Sequence, residues 1–94
     1  MKHRIDANQT EIVSCIRQIG ATVQDLSTVG GGCPDIIVGY KKVNYFFEIK
    51  TKQGKLNKRQ IKWHDHWQGQ VHVIRDEMEA FEIMRVDLSS YEGI

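Results

Sequence analysis

The chain has 94 residues, a length that supports one domain, residues 1–94, with a small hydrophobic core that a homodimer interface would help to stabilise. No apolar stretch approaches the roughly 20 residues of a membrane helix, and residues 1–6 are too polar for a signal peptide. The formal net charge is only +1, and the two cysteines form no CxxC pair. These features argue against a membrane protein and favour a cytoplasmic one with free thiols.

The small net charge hides a strong segregation of charge along the chain. Residues 41–62 contain eight lysines and arginines against one acid, Glu48, whereas residues 76–94 contain six acids against one base, Arg85. A concentrated basic segment favours a polyanionic partner, and nucleic acid is the usual candidate. A solvated, charged helix face is the alternative explanation.

The first predicted helix begins at Asn8, a candidate N-cap, and runs to about Ile19 before Gly20. Residues 21–27 form a moderate strand, and the glycine-rich residues 29–33 connect it to the next one. That next strand belongs to a hairpin, because two β-like runs, residues 35–40 and 43–50, flank the dipeptide Lys41-Lys42.

The second half of the chain alternates between helix and strand. Asn57 opens a helix that runs through Trp67, residues 71–74 form a short apolar strand, and Asp76 caps a third helix to about Arg85. The order is α-β-β-β-α-β-α, which predicts an α/β fold with a small mixed sheet flanked by helices. We expect a core of about residues 8–86 and a loosely held tail, residues 87–94.

The hairpin brings two acidic residues together. If it folds symmetrically about Lys41-Lys42, Asp35 lies opposite Glu48, and strand alternation places Lys50 on the same face as Glu48. Val43, Tyr45, Phe47 and Ile49 then point to the opposite face, into a core. Like charges directly opposed are destabilising, so the pair needs compensation, which a divalent cation would supply. The dipeptide lacks the Asn or Gly typical of two-residue turns, and a four-residue loop would preserve the same register.

Pro34-Asp35 followed by Glu48-Ile49-Lys50 resembles the PD-(D/E)XK signature of restriction-endonuclease-like nucleases. The resemblance extends to the VRR-NUC branch, the virus-type replication-repair nucleases, and covers most of residues 8–75. It rests on the motif itself, on the glycine-rich approach to it, and on residues of two helices: Glu11 on the first, and Leu56, Gln60 and Trp63 around the second. It implies a restriction-endonuclease-like core.

By this resemblance, Asp35 and Glu48 bind one or two Mg²⁺ or Mn²⁺ ions, with the main-chain carbonyl of Ile49 completing the ligand set. Magnesium prefers hard oxygen ligands and is often held by one or two carboxylates, which suits so sparse a site. Lys50 corresponds to the catalytic lysine of the family, which orients the attacking water and stabilises charge on the phosphate.

Two further site candidates have structural alternatives. Glu11 resembles a glutamate that helps to bind metal, and it lies roughly 40° around the helix from Cys15; it also occupies the capping-box position after Asn8. Gln60 resembles an active-site glutamine of the family, yet it stands three residues after Asn57, again a capping-box position. Both explanations remain open at this stage.

Basic and aromatic residues follow the motif. Several of the basic residues are expected to contact backbone phosphates without reading sequence, namely Lys52, Lys55, Lys58, Arg59 and Lys62. Trp63 and Trp67 share a helix face with Gln60, so they are candidates for base stacking, although aromatics at helical spacing are more often core. The four histidines form no zinc pattern, and Gly30-Gly31-Gly32 lacks the Lys-Ser/Thr of a P-loop, so neither zinc nor a nucleotide cofactor is expected.

The resemblance implies a metal-dependent DNA endonuclease that leaves 5′-phosphate ends. Stand-alone members of this branch are typically small phage or bacterial proteins that dimerise and cut branched DNA such as four-way (Holliday) junctions during repair. The alternative is a non-catalytic DNA-binding module that retains a degenerate nuclease fold.

Overall fold

The computed structural model describes residues 7–90. Its elements follow in the order α1 (Ala7–Gln18), β1 (Thr22–Asp25), β2 (Ile36–Tyr40), β3 (Val43–Ile49), α2 (Lys58–His66), β4 (Val71–Ile74) and α3 (Glu77–Met84), followed by a short 3₁₀ helix (Leu88–Ser90). The predicted order α-β-β-β-α-β-α is confirmed. No helix within residues 7–90 combines the length and the apolar character that crossing a membrane requires.

The four strands form one mixed sheet in the spatial order β1-β2-β3-β4. The first three strands are antiparallel neighbours, whereas β4 runs parallel to β3. A parallel neighbour requires a crossover, and α2 lies in that connection. The expectation of a small mixed sheet is confirmed.

The hydrophobic core lies on one face of the sheet, beneath α1 and α3. β3 contributes Tyr45, Phe47 and Ile49, as strand alternation predicts, whereas Val43 is 42% exposed because it flanks the turn at the end of the sheet. The remaining core residues come from β2, β4 and the two helices, and they are Ile36, Val38, Ile74, Ile12, Ile16, Ala80, Phe81 and Met84, with Ala21 after α1.

The second helix, α2, packs against the opposite face of the sheet. Phe46 points away from the core, and its ring makes edge-on contacts with Trp63 and Trp67 at centroid distances of 5.5 and 5.1 Å. The sheet therefore separates the basic helix α2 from the acidic helix α3, which carries Glu77, Glu79 and Glu82.

The hairpin has the expected register with a two-residue turn. Gly39 pairs with Asn44 and Ile36 with Phe47. Lys41 and Lys42 adopt φ angles of 50° and 70°, the left-handed conformation of a type I′ turn. The longer, four-residue loop considered for this turn is therefore absent. Glycine or asparagine would adopt these φ angles more easily than lysine, so the pairing of the two strands holds the lysines in this conformation.

The predicted start of the first helix is wrong. Asn8 is not the N-cap of α1; it lies inside the helix, and its Nδ2 donates to the Lys50 carbonyl at 3.4 Å. Within the predicted tail, Leu88 packs against the core. Residues 91–94 of the predicted tail lie outside the described range.

Candidate active site

Asp35 and Glu48 are cross-strand neighbours. Tyr40 and Val43 flank the two-residue turn and form a hydrogen-bonded pair, so every second pair along the hairpin is of the closer, non-hydrogen-bonded kind. Continued one residue beyond Ile36, the register sets Asp35 opposite Glu48 in such a pair. Asp35 lies close enough to Glu48 for its negative charge to raise the pKa of Glu48.

The Glu48 side chain is buried in this arrangement, with 2% of the residue exposed. Its Oε2 atom accepts a hydrogen bond from Gln60 Nε2 at 3.0 Å and lies 3.6 Å from Lys50 Nζ. Its Oε1 atom is also buried but has no hydrogen-bond partner among the described residues. A buried carboxylate oxygen without a partner is costly unless another group compensates it.

The protonation of Glu48 reflects the same surroundings. Desolvation, and then the negative charge of Asp35, raise the pKa of Glu48 to about 8, while Lys50 acts in the opposite direction. Burial and the same two carboxyl groups also raise the pKa of the neighbouring Cys33 thiol. A lysine and an amide are therefore insufficient to hold the carboxyl pair fully ionised near neutral pH.

The main chain of Ile49 faces Asp35. Its N–H donates to Asp35 Oδ2 at 2.7 Å, whereas the next amide, Lys50 N–H, donates to Ile74 O on the opposite side of the strand. Pro34 is the residue opposite Ile49 in the register, and proline has no N–H to give to the Ile49 carbonyl. At this end of the hairpin, the Ile49 carbonyl oxygen therefore receives no cross-strand hydrogen bond from Pro34.

These groups fit a divalent cation. The two carboxyl groups and the main-chain carbonyl offer only oxygen atoms as ligands, and Mg²⁺ and Mn²⁺ prefer oxygen ligands. The buried Oε1 atom of Glu48 also supports a cation at this site, because a bound cation would compensate the hydrogen bond that this oxygen lacks. Lys50 stands beside this set as predicted, with its side chain 19% exposed.

Glu11 does not join the pair. It is exposed, and residues 7–90 contain no group of three or more His, Cys, Asp or Glu side chains that could hold a metal ion. The buried stripe of α1 runs through Gln9, Ile12 and Ile16, and Glu11 lies about 100° from Ile12 around the helix. The capping-box alternative also fails, because Asn8 is not the N-cap.

Gln60 combines the two roles left open by the sequence. Its Oε1 accepts from Asn57 N–H at 2.9 Å while its own N–H donates to Asn57 Oδ1 at 2.9 Å, which completes the capping box. The amide oxygen is thereby fixed toward the helix start, so Nε2 faces Glu48 Oε2. One side chain both completes the cap of α2 and binds Glu48.

Gln9 lies near the pair, although the site predicted from the sequence did not include it. A pocket of about 270 Å³ beside Asp35 is lined by Gln9, Cys33 and the glycine-rich loop. Gly32 has φ 88°, and a Cβ at this position would clash with the Arg59 main-chain carbonyl, so glycine allows the loop to touch the first turn of α2. Gln9 is buried, with only 7% of the residue exposed. The sequence could have indicated this, because Gln9 stands three residues before Ile12 and so lies on the same face of the helix.

The basic residues predicted to contact DNA are all exposed, namely Lys52, Lys55, Lys58, Arg59 and Lys62. Arg59 borders the pocket beside Asp35, and Arg59 and Lys62 line a second cavity of about 430 Å³. Arg75 anchors the loop that carries Lys52 and Lys55, because its guanidinium donates to Gly54 O at 2.9 Å. The side chains predicted for phosphate contact thus surround the approach to α2 and remain open to solvent.

Trp63 and Trp67 are not part of the hydrophobic core. Their rings stack on each other at 4.6 Å with an interplanar angle of 15°, and Trp67 is 43% exposed. Phe46 lies beneath both rings. The more frequent explanation for aromatics at helical spacing, burial in the core, does not apply here.

The chain matches no protein-family model and no curated protein sequence. Among solved structures it matches a VRR-NUC domain, with 23% sequence identity, coverage of 83% of this chain and 90% of that chain, and a TM-score of 0.67. The two chains thus superpose over nearly their whole lengths although few residues are shared. The protein therefore has the fold of a VRR-NUC domain, as its sequence predicts.

Proposed function

We propose that this protein is a divalent-metal-dependent endonuclease that hydrolyses phosphodiester bonds in DNA. The observation that carries the proposal is the opposed Asp35/Glu48 pair, in which a buried carboxylate oxygen has no partner and the pKa of Glu48 is raised to about 8. Perturbed carboxyl groups with a specific charge partner are typical of functional sites. The fold of a VRR-NUC domain supports the same assignment.

Asp35, Glu48 and the Ile49 carbonyl would hold one or two Mg²⁺ or Mn²⁺ ions. Such an ion would polarise the phosphate and make a nearby water a better nucleophile. Ile49 N–H fixes one oxygen of Asp35 by its hydrogen bond, which leaves the other carboxylate oxygen available. Gln60 fixes Oε2 of Glu48 in the same way, so each carboxylate has one oriented and one available oxygen.

The position of Lys50 supports a role in the reaction. Its ammonium group lies 3.6 Å from Glu48 Oε2 and remains partly exposed. From there it can orient the attacking water and stabilise the negative charge that develops on the phosphate. The exposed residues Lys58, Arg59 and Lys62 would bind neighbouring phosphates and position the strand without reading its sequence.

The preferred substrate in this proposal is branched DNA, such as a four-way junction, cut by a homodimer. Two active sites related by a two-fold axis match the symmetry of opposed strands at a junction. The small core of a 94-residue chain also favours a dimer. Sedimentation equilibrium of the free protein tests the dimer, and cleavage of a junction compared with its linear arms tests the preference.

The nuclease assignment is tested by incubating the protein with a labelled four-way junction and Mg²⁺ or Mn²⁺. We expect hydrolysis that EDTA abolishes, and a decrease of about 10²–10⁴-fold in Lys50→Ala. Lys42→Ala, a change at the exposed hairpin turn, is the matched control and should cleave normally. Cleavage by Lys50→Ala at the wild-type rate would contradict the proposed site.

A non-catalytic DNA-binding module is the alternative. It predicts salt-sensitive DNA binding that divalent ions do not affect. The nuclease predicts calorimetric Mn²⁺ binding that Asp35→Asn removes. The presence of Asp35, Glu48 and Lys50 in one contacting group favours the nuclease, because a degenerate site would no longer require all three.

A further inference from the structure

The cavity beside α2 combines an aromatic surface with positive charge. It has a volume of about 430 Å³ and is lined by Gly31, Arg59, Lys62, Trp63, His66 and Trp67. We infer that this cavity, the α2 groove, binds an unpaired nucleotide strand that continues from the DNA held at the carboxyl pair. The inference rests on the proposed nuclease function and defines its substrate as DNA with an unpaired segment.

The aromatic part of the α2 groove is a preorganised stacking surface. Trp63 and Trp67 lie nearly parallel, and Phe46 supports both from beneath by edge-on contacts. Trp67 nevertheless leaves 43% of its surface in solvent. An exposed, rigid indole is costly for a soluble protein but provides a flat surface on which any base can stack.

The charge of the groove selects an anionic occupant. Arg59 and Lys62 are exposed, and none of the six residues that line the groove is acidic. A second copy of this chain is disfavoured, because two such basic surfaces would repel each other on contact. Aromatic rings interleaved with cations are the combination that proteins use for single-stranded nucleic acid.

The groove is continuous with the carboxyl pair. Gly31 and Arg59 line both the α2 groove and the pocket beside Asp35. Gln60, which is hydrogen-bonded to Glu48, precedes Trp67 by seven residues, a separation of about 10 Å along the helix. At the duplex rise of 3.4 Å per step this distance corresponds to about three nucleotides, and an extended unpaired strand spans it with fewer. A strand cleaved at the pair would therefore reach the tryptophans within a few nucleotides.

An unpaired strand fits this groove better than a duplex. Bases in a duplex are stacked on one another inside the helix and cannot stack on a protein ring without being unpaired first. A strand that leaves a junction or flap has bases free to do so. The structural preference of the enzyme would then come from the stacking surface of α2.

The test is a binding measurement in EDTA, where hydrolysis cannot occur. Trp63 and Trp67 are the two tryptophans of the chain, so indole fluorescence reports on this groove directly. We expect a single-stranded thymidine 12-mer to quench the emission, whereas a blunt duplex of equal charge should quench it much less. Trp67→Ala should weaken binding of the 12-mer about tenfold and that of the duplex less than twofold.

Trp67→Phe should retain most of the affinity for the 12-mer, and Ile61→Ala, a change at an exposed residue of α2 outside the groove, should behave like the wild type. The inference is overturned if saturating 12-mer leaves the fluorescence unchanged. It is also overturned if Trp67→Ala weakens both ligands equally, or if its main effect is to dissociate a dimer. Metal-dependent hydrolysis is measured separately, so a protein that binds the 12-mer but does not cleave would contradict only the nuclease proposal.

Discussion

Gln60 donates a hydrogen bond from Nε2 to Glu48 Oε2 at 3.0 Å, which joins the first turn of α2 to the central strand of the candidate site. Its amide oxygen is occupied by the Asn57 N–H, so the direction of the amide is fixed. The cap of a helix and the orientation of a buried carboxyl group thus depend on one side chain.

Gln60→Ala should lose the bond to Glu48 together with the capping-box bond from Asn57 N–H, whereas Asn57→Ala should lose only the other capping-box bond, from the main-chain N–H of Gln60. Each change should lower the free energy of unfolding by ~1 kcal/mol through the cap, and Gln60→Ala should cost ~1–3 kcal/mol more because Glu48 loses its donor. Denaturant unfolding of both variants measures this difference. Equal losses in the two variants would show that the bond to Glu48 contributes nothing.

The contribution of Glu48 to the stability of the metal-free protein should fall as pH rises from about 4.5 to about 8. The pKa of Glu48 is raised from its ordinary value of 4.5 to about 8, so the folded state binds more protons than the unfolded state across this interval. Stability decreases with pH wherever the folded state binds more protons.

Burial lowers the pKa of His64 and of His72 below 6.5, which acts in the opposite direction in the lower part of this interval. Glu48→Gln isolates the carboxyl contribution, because both histidines remain. The difference in unfolding free energy between Glu48→Gln and the wild type should therefore increase steadily with pH up to about 8. A difference that is independent of pH would mean that Glu48 titrates normally.

Gly32→Ala should be more harmful than Gly30→Ala. Both glycines have positive φ angles, 88° and 79°, so either substitution should cost ~1–2 kcal/mol in backbone strain. A methyl group at Gly30 meets no atom within 4 Å, whereas one at Gly32 clashes with the Arg59 carbonyl. Gly32→Ala should lose a further ~1–3 kcal/mol and should also lower cleavage, because α2 must move away from Glu48. Similar melting temperatures for the two variants would contradict this close approach.

Glu11→Gln should leave Mn²⁺ affinity and cleavage within about twofold of the wild type, because an exposed side chain outside the carboxyl pair contributes little. Asp35→Asn, measured in parallel by calorimetry, should remove metal binding. A loss of metal binding in Glu11→Gln comparable to that in Asp35→Asn would return Glu11 to the ligand set.

The sequence alone determined the order of the elements and the register of the hairpin. The two β-like runs allow a symmetric turn only about Lys41-Lys42, and the period of two then fixes which side chains share a face. Asp35, Glu48 and Lys50 were brought together by that local geometry. The fold was equally accessible, because each helix and strand carries its own hydrophobic pattern and most carry their own caps.

Only the tertiary structure decided what depends on contacts between distant segments. The sequence allowed Glu11 to face the sheet or the solvent. The burial of Ile12 and Ile16 in the core, where α1 meets α3 and β1, turned Glu11 to the solvent. From the sequence, Gln60 could either cap the helix or belong to the site. In the structure it does both, because α2 comes close to Glu48, an approach that Gly32 permits. Both outcomes depend on how the helices pack against the sheet. The periodicity of side chains along one helix carries no information about how closely that helix approaches its neighbours.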